Sequence, residues 1–138
     1  MPLSVTVGSG VDCVIHLKNA WLTTYGELPN IKLGTGSRVR IVCSGEDHID
    51  GRGIYVPEGS SLDLVVSGEL YVRSESKDCY AIGTDSRQPC GRITVAMTGI
   101  LDIIANGDKC VGIGGGGCKD GIVIAGGDIS VKCSGGRG

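Results

Sequence analysis

The sequence predicts an all-β protein: a right-handed parallel β-helix, a solenoid of about four to five triangular coils of three short strands. Three observations lead there. Three stretches can be laid over one another, with Ile54, Ile82 and Ile113 at spacings of 28 and 31 residues, inside the range of about 20–50 residues that marks stacked repeats. Within each stretch, apolar and polar residues alternate with period two, as in strands with one buried face. The chain also carries 25 Gly and no Phe in 138 residues, against an average Gly usage of about 7%, which calls for many tight turns and few helices.

In chain order, the first strand is expected within residues 3–7, a part-coil. Val14-Ile15-His16-Leu17 and Trp21-Leu22-Thr23-Thr24 then fit an early coil. Ile31-Lys32-Leu33, Ser37-Arg38-Val39-Arg40-Ile41 and Gly45-Glu46-Asp47-His48-Ile49 fit the next, with Asp47 as a polar intruder at an inward place. From Gly53 the three regular repeats begin. Their inward residues are Ile54 and Val56, Ile82, or Ile113; then Leu62 and Leu64, Ile93 and Val95, or Ile122 and Ile124; then Leu70 and Val72, Leu101 and Ile103, or Ile129 and Val131. Gly45, Gly68, Gly99 and Gly127 are expected to share one corner at positive φ, and Gly83 and Gly114 another. Residues 1–138 read as one domain, with shorter coils over 1–52 and regular repeats over 53–138, and with the look of a fragment of a longer chain.

Charge narrows the partners. A formal net charge of −2 and a pI near 5.6 provide no bulk attraction to nucleic acid. No stretch of about 18 apolar residues exists, so no membrane-spanning helix is expected. The loop Gly112-Ile-Gly-Gly-Gly-Gly117 formally matches the dinucleotide fingerprint G-x-G-x-x-G. A strand follows it rather than a helix, so no helix N-terminus waits for a pyrophosphate. No cofactor is expected.

The phrases GIYVPEGSSLDL, YAIGTDSRQPCGRITV and VGIGGGGCKDGIVIAGGDISV resemble the "GIGGG … G-x-I-x-I-x-GG" repeats of large bacterial surface proteins, in the broad group of carbohydrate-binding or adhesin-like β-helix domains. The resemblance covers about residues 53–138 and is specific for the scaffold rather than for a ligand. It implies a secreted or wall-attached parent chain, and hence an extracellular or cell-surface location.

Seven cysteines are present, none in a C-x-x-C pair, so zinc-ribbon spacing is missing and no metal site is expected. Cys79 and Cys110 lie 31 residues apart, and Cys90 and Cys118 lie 28 apart, each pair in repeat register. Neighbouring coils bring such residues to about 4.8 Å, within disulfide reach. A ladder of buried thiols and a set of disulfides are both consistent with this spacing, and bridges would imply an oxidising compartment.

Outward residues should form rows up the solenoid. On the sheet that follows the Gly45/Gly68/Gly99/Gly127 corner, the expected rows are Trp21, Glu46, Glu69, Ile100, Asp128; then Thr23, His48, Tyr71, Asp102, Ser130; then Tyr25, Asp50, Arg73, Ile104, Lys132. Trp21, Tyr25 and Tyr71 then share a face with His48, Asp50 and Asp102. Aromatic faces stack on sugar rings while carboxylates and His bond hydroxyls, so this face is the expected platform for a polysaccharide or host-surface glycan. The preceding sheet should carry the rows His16, Arg40, Asp63, Thr94, Val123 and Lys18, Val42, Val65, Ala96, Ala125. Val42, Val65 and Val123 with the small Ala residues form an apolar stripe suited to a neighbouring domain or a second copy.

Parallel β-helices also host pectin lyases and polygalacturonases. The closest acidic cluster is Asp47 and Asp50 with Glu69 and Arg73, but no long insertions build cleft walls, so catalysis is not expected. The expected function is a non-catalytic extracellular module for glycan binding or adhesion. The alternative is a structural stalk or self-stacking subunit, joined to neighbouring repeats or a second copy through open coil ends.

Overall fold

Alternating apolar residues interrupted by Gly corners leave each strand with one face to bury, and a stack of parallel strands buries all of these faces together. A computed structural model describes residues 4–24, 29–75, 80–84, 87–107, 111–115, 117 and 121–134. The first rung is β1 (Val5–Thr6), β2 (Asp12–Lys18) and β3 (Trp21–Thr23). The second is β4 (Ile31–Lys32), β5 (Arg38–Ser44) and β6 (Glu46–Gly51). Then come β7 (Ile54–Tyr55), β8 (Ser61–Val66), β9 (Glu69–Glu75), and β10 (Tyr80–Gly83), β11 (Arg92–Met97), β12 (Ile100–Asn106). The last rung is β13 (Val111–Gly114), β14 (Ile122–Ala125) and β15 (Asp128–Ser134).

Every third strand joins the same sheet, giving three five-stranded sheets: β1-β4-β7-β10-β13, β2-β5-β8-β11-β14 and β3-β6-β9-β12-β15. All pairings within them are parallel. The chain is a parallel β-solenoid of about four turns from first rung to last, with no helix among the described residues. Inward side chains stack in columns, such as Ile15–Ile41–Leu64–Val95 and Leu22–Ile49–Val72–Ile103. Ile41, Leu64, Val95, Ile49, Val72 and Ile103 are fully buried, each contributing roughly 1.5–3 kcal/mol relative to an exposed position.

The last rung departs from this pattern. Ile122, Ile124, Ile129 and Val131 continue the columns of Ile93, Val95, Leu101 and Ile103, yet they are 38–45% exposed while those four partners are at 0%. Their strands are paired on one side only.

The corner glycines act by two mechanisms. Gly45 and Gly127 adopt positive φ, 74° and 68°, as the sequence suggested. Gly68 and Gly99 do not, which corrects the expectation of positive φ along the whole column. They are required by contact instead. A Cβ on Gly68 would overlap the Gly45 carbonyl, and one on Gly99 the Gly68 carbonyl. At the same corner of the first rung stands Asn19, the one described non-Gly residue with positive φ (50°), a conformation Asn tolerates better than most residues. Its Oδ1 accepts a hydrogen bond from the Glu46 N–H at 3.0 Å.

The first rung sits two residues out of the expected register. With Lys18 opposite Ser44, the first rung turns this corner one residue sooner than the second, and Trp21 pairs with His48 instead of Glu46. The second sheet is shifted likewise, with Val14 opposite Arg40 and His16 opposite Val42, where His16 opposite Arg40 and Lys18 opposite Val42 were expected. The physical reason is burial. The observed register sets Cys13, Ile15 and Leu17 over Val39, Ile41 and Cys43, whereas the expected one would turn Asn19 into the core. Each shift is two residues, so every side chain keeps its face.

Asp47 is inward and fully buried. Its Oδ1 accepts the Ala20 N–H at 2.8 Å, and its Oδ2 has no hydrogen-bond partner. Burial raises its pKa above the usual value of 3.8, opposed by the Ala20 hydrogen bond and the His48 charge. A raised folded-state pKa means a stabilising contribution that is complete below the unfolded value and is lost as pH rises through the folded one. Denaturant midpoints of the wild type should therefore fall, relative to Asp47→Asn, as pH is raised from about 4 to about 7. A difference between the two proteins that does not change with pH would contradict a buried, titrating carboxyl.

Candidate functional site: an aromatic ladder on the third sheet

The outward face of β3, β6, β9, β12 and β15 carries the row Trp21–His48–Tyr71–Asp102–Ser130. Trp21 thus joins the row that was expected to begin with Thr23. Parallel rungs repeat at about 4.8 Å, close to the separation of stacked rings, so the three aromatic side chains lie on one another. Trp21 and His48 have centroids 4.3 Å apart at 16°. His48 and Tyr71 follow at 5.0 Å and 19°.

The neighbouring row, Thr23–Asp50–Arg73–Ile104–Lys132, pins this ladder from the side. The indole Nε1 of Trp21 donates to Asp50 Oδ2 at 2.7 Å. Arg73 lies 5.7 Å from the Tyr71 ring centroid and reaches Asp102 Oδ2 at 3.5 Å. His48 Nε2 is 3.8 Å from Glu46 Oε2. Partial burial, then the carboxylates of Glu69, Glu46 and Asp102, hold the Tyr71 phenol above its ordinary pKa. The hydroxyl therefore keeps its proton and stays a donor.

Of the residues expected to form the site, Trp21, His48, Tyr71 and Asp102 fall in one row and Asp50 beside it. Tyr25 lies outside the described residues. Asp47 points into the core, so it forms no surface cluster with Asp50, Glu69 and Arg73. The ladder also changes what the face offers. Rings stacked along the solenoid present their edges outward, and both faces of His48 are covered. Trp21 is 63% exposed, and among the described residues no ring stacks on its second face, which makes it the aromatic surface open to a ligand.

Beyond Tyr71 the row runs into a shallow concavity of about 280 Å³ lined by Tyr71, Ile100, Asp102, Asp128 and Ser130, with the inward Leu101 and Ile129 behind them. Asp128 and Ser130 were in the predicted rows without being assigned to the site. Their place just after the Gly126-Gly127 corner was the available signal.

The described cysteines differ from one another. Cys13 and Cys43 are free thiols and occupy different columns, opposite Val39 and Leu17 respectively, so they form no ladder with each other. Burial, and secondarily the Asp47 charge, pushes the Cys43 thiol up to about 12, which leaves it inert. Cys90 is disulfide-bonded, and its N–H donates to the Gly117 carbonyl at 2.8 Å. Cys79, Cys110 and Cys118 lie outside the described residues, and the expected pairings fall there.

Fold and site together define a parallel β-solenoid with one laddered outer face. The chain matches no protein-family model, and no curated protein or solved structure is significantly similar to it.

Proposed function

We propose that the chain is a non-catalytic, extracellular or cell-surface β-solenoid module that binds glycan or mediates adhesion through the outer face of the third sheet. The observation that carries this reading is the in-register row Trp21–His48–Tyr71–Asp102–Ser130, which begins with an open indole face and ends in a polar concavity. An indole face suits the apolar face of a sugar ring, and Asp102, Asp128 and Ser130 suit its hydroxyls. The likeness of residues 53–138 to "GIGGG" repeats of bacterial surface proteins agrees with this reading, as does the disulfide at Cys90, a bond that belongs to oxidising compartments.

Glycan-array screening followed by titration tests it. Trp21→Ala should weaken the selected glycan by about tenfold, the scale of losing one aromatic contact, and Tyr71→Ala should also weaken it. No bound glycan, or unchanged affinity in both variants, would remove the reading.

The exposed Ile122, Ile124, Ile129 and Val131 of the last rung favour a second reading. In it the solenoid is a structural unit whose open rung is covered by further rungs of a longer chain or of a second copy. Light scattering on the same samples separates the two: mass that grows with concentration, and an array without hits, would favour stacking.

A further inference from the structure

The second sheet carries a different kind of site. Its outward edge row is Asp12–Arg38–Ser61–Arg92, and the next row is Val14–Arg40–Asp63–Thr94. Together they line an open concavity of about 710 Å³. Arg40 is committed within it, since its Nη2 and Nε lie 3.0 and 3.1 Å from Asp63 Oδ2. Arg38 and Arg92 are exposed, and among the described residues neither has an ion pair. They stand one rung to either side of Ser61, so their backbones are about 9.6 Å apart along the solenoid axis.

Three guanidinium groups against two carboxylates, Asp12 and Asp63, make this concavity locally cationic in a chain of net charge −2. A guanidinium fork matches the two oxygens of a carboxylate or sulfate ester, which a lysine ammonium does not. Between the two forks the Ser61 hydroxyl can bond a sugar hydroxyl, and exposed Val14 (55%) offers apolar contact at the rim.

We propose that this concavity binds the acidic groups of a polyanionic polysaccharide, with Arg38 and Arg92 anchoring successive carboxylates or sulfate esters of a chain that runs along the solenoid axis. The inference rests on the glycan reading above, and names the substrate class through a second face of the same module. An extended acidic chain fits because the two anchors repeat along one line, in the direction the rungs themselves repeat.

The test uses polygalacturonate, dextran sulfate and neutral dextran as probes in titrations of the full chain. The wild type should bind at least one polyanion, with affinity falling as salt is raised, and should bind dextran far less. Arg38→Gln/Arg92→Gln should weaken polyanion binding by about tenfold or more, as expected for lost charged hydrogen bonds. Lys18→Gln/Lys32→Gln, which removes the same charge elsewhere, should retain binding. All variants are compared at matched unfolding midpoints, so a folding defect is not read as lost affinity. Binding of polygalacturonate alone would identify a carboxylate ligand, and of dextran sulfate alone a sulfate ester; either outcome supports the site. Equal losses in the two double variants, or no loss on changing both arginines, would overturn it. If neutral glycans bind through Trp21 and no polyanion binds, this site falls while the glycan reading stands. If no glycan of any kind binds, both fall.

Discussion

Replacing Gly99 by alanine should cost about 3 kcal/mol or more, the upper range for forcing extra atoms into a filled interior, although the residue is only half-buried. A Cβ built there overlaps the Gly68 carbonyl oxygen and comes within 3.0 Å of the Ser67 carbonyl oxygen. The same Gly68 oxygen accepts the Ile100 N–H at 2.9 Å, so the backbone cannot yield without breaking the bond that starts β12. The next rung docks on this corner in turn, through the Asp128 N–H on the Gly99 carbonyl at 3.1 Å. Urea or thermal unfolding of Gly99→Ala checks the magnitude. Gly8→Ala is the control, since its Cβ would meet only ordinary contact with Val11 at 3.5 Å, and it should be nearly neutral. Similar costs for the two would show that the rungs can separate locally and that the glycine column is not a spacing constraint.

Asn30→Ala should destabilise the fold by roughly 2–4 kcal/mol, because it removes four hydrogen bonds at one turn and takes the acceptor from the Arg52 and Gly53 N–H groups. The Asn30 side chain is fully buried. Its Nδ2 donates to the carbonyls of Leu22 at 3.2 Å and Asp50 at 2.8 Å. Its Oδ1 accepts from the N–H groups of Arg52 at 3.0 Å and Gly53 at 2.8 Å. One amide thus ties the end of the first rung to the end of the second, at a turn where the Asp50 carbonyl also accepts the Thr24 N–H at 3.0 Å. For a chain of this size the loss corresponds to a melting-temperature fall on the order of 10 °C. Asn30→Asp keeps shape and size but aims a carboxylate oxygen at two carbonyls. It should be at least as damaging as alanine; near-wild-type stability of the aspartate variant would mean that packing, not hydrogen bonding, makes the residue necessary.

Much of this architecture was legible because its determinants are local. The alternation of Leu62 and Leu64 with Asp63, or of Ile93 and Val95 with Thr94, states which side chains face inward whatever lies beside the strand. From the second rung onward the Gly45, Gly68, Gly99 and Gly127 corners also aligned the rows, so that His48, Tyr71, Asp102 and Ser130 could be placed together in advance. Asn30 gave no such signal, since a single Asn before an apolar strand reads as an ordinary turn residue. Arg38 and Arg92 escaped notice for a related reason: each is an unremarkable exposed charge at a strand start, and they acquire meaning only by flanking Ser61.

By itself, then, the sequence determined the all-β class, the inward and outward faces and the repeat that stacks them, because period-two alternation and recurring glycines act within a few residues. The tertiary structure alone decided the register of the first rung. A shift of two residues along the first rung leaves the inward and outward alternation unchanged, and the choice is made by burying Cys13, Ile15 and Leu17 over the second rung. It also decided that Trp21, His48 and Tyr71 stack edge-outward instead of lying flat. Ring orientation is set by a neighbour one rung away, about 4.8 Å distant in space but 23 or 27 residues along the chain, beyond the reach of any local pattern.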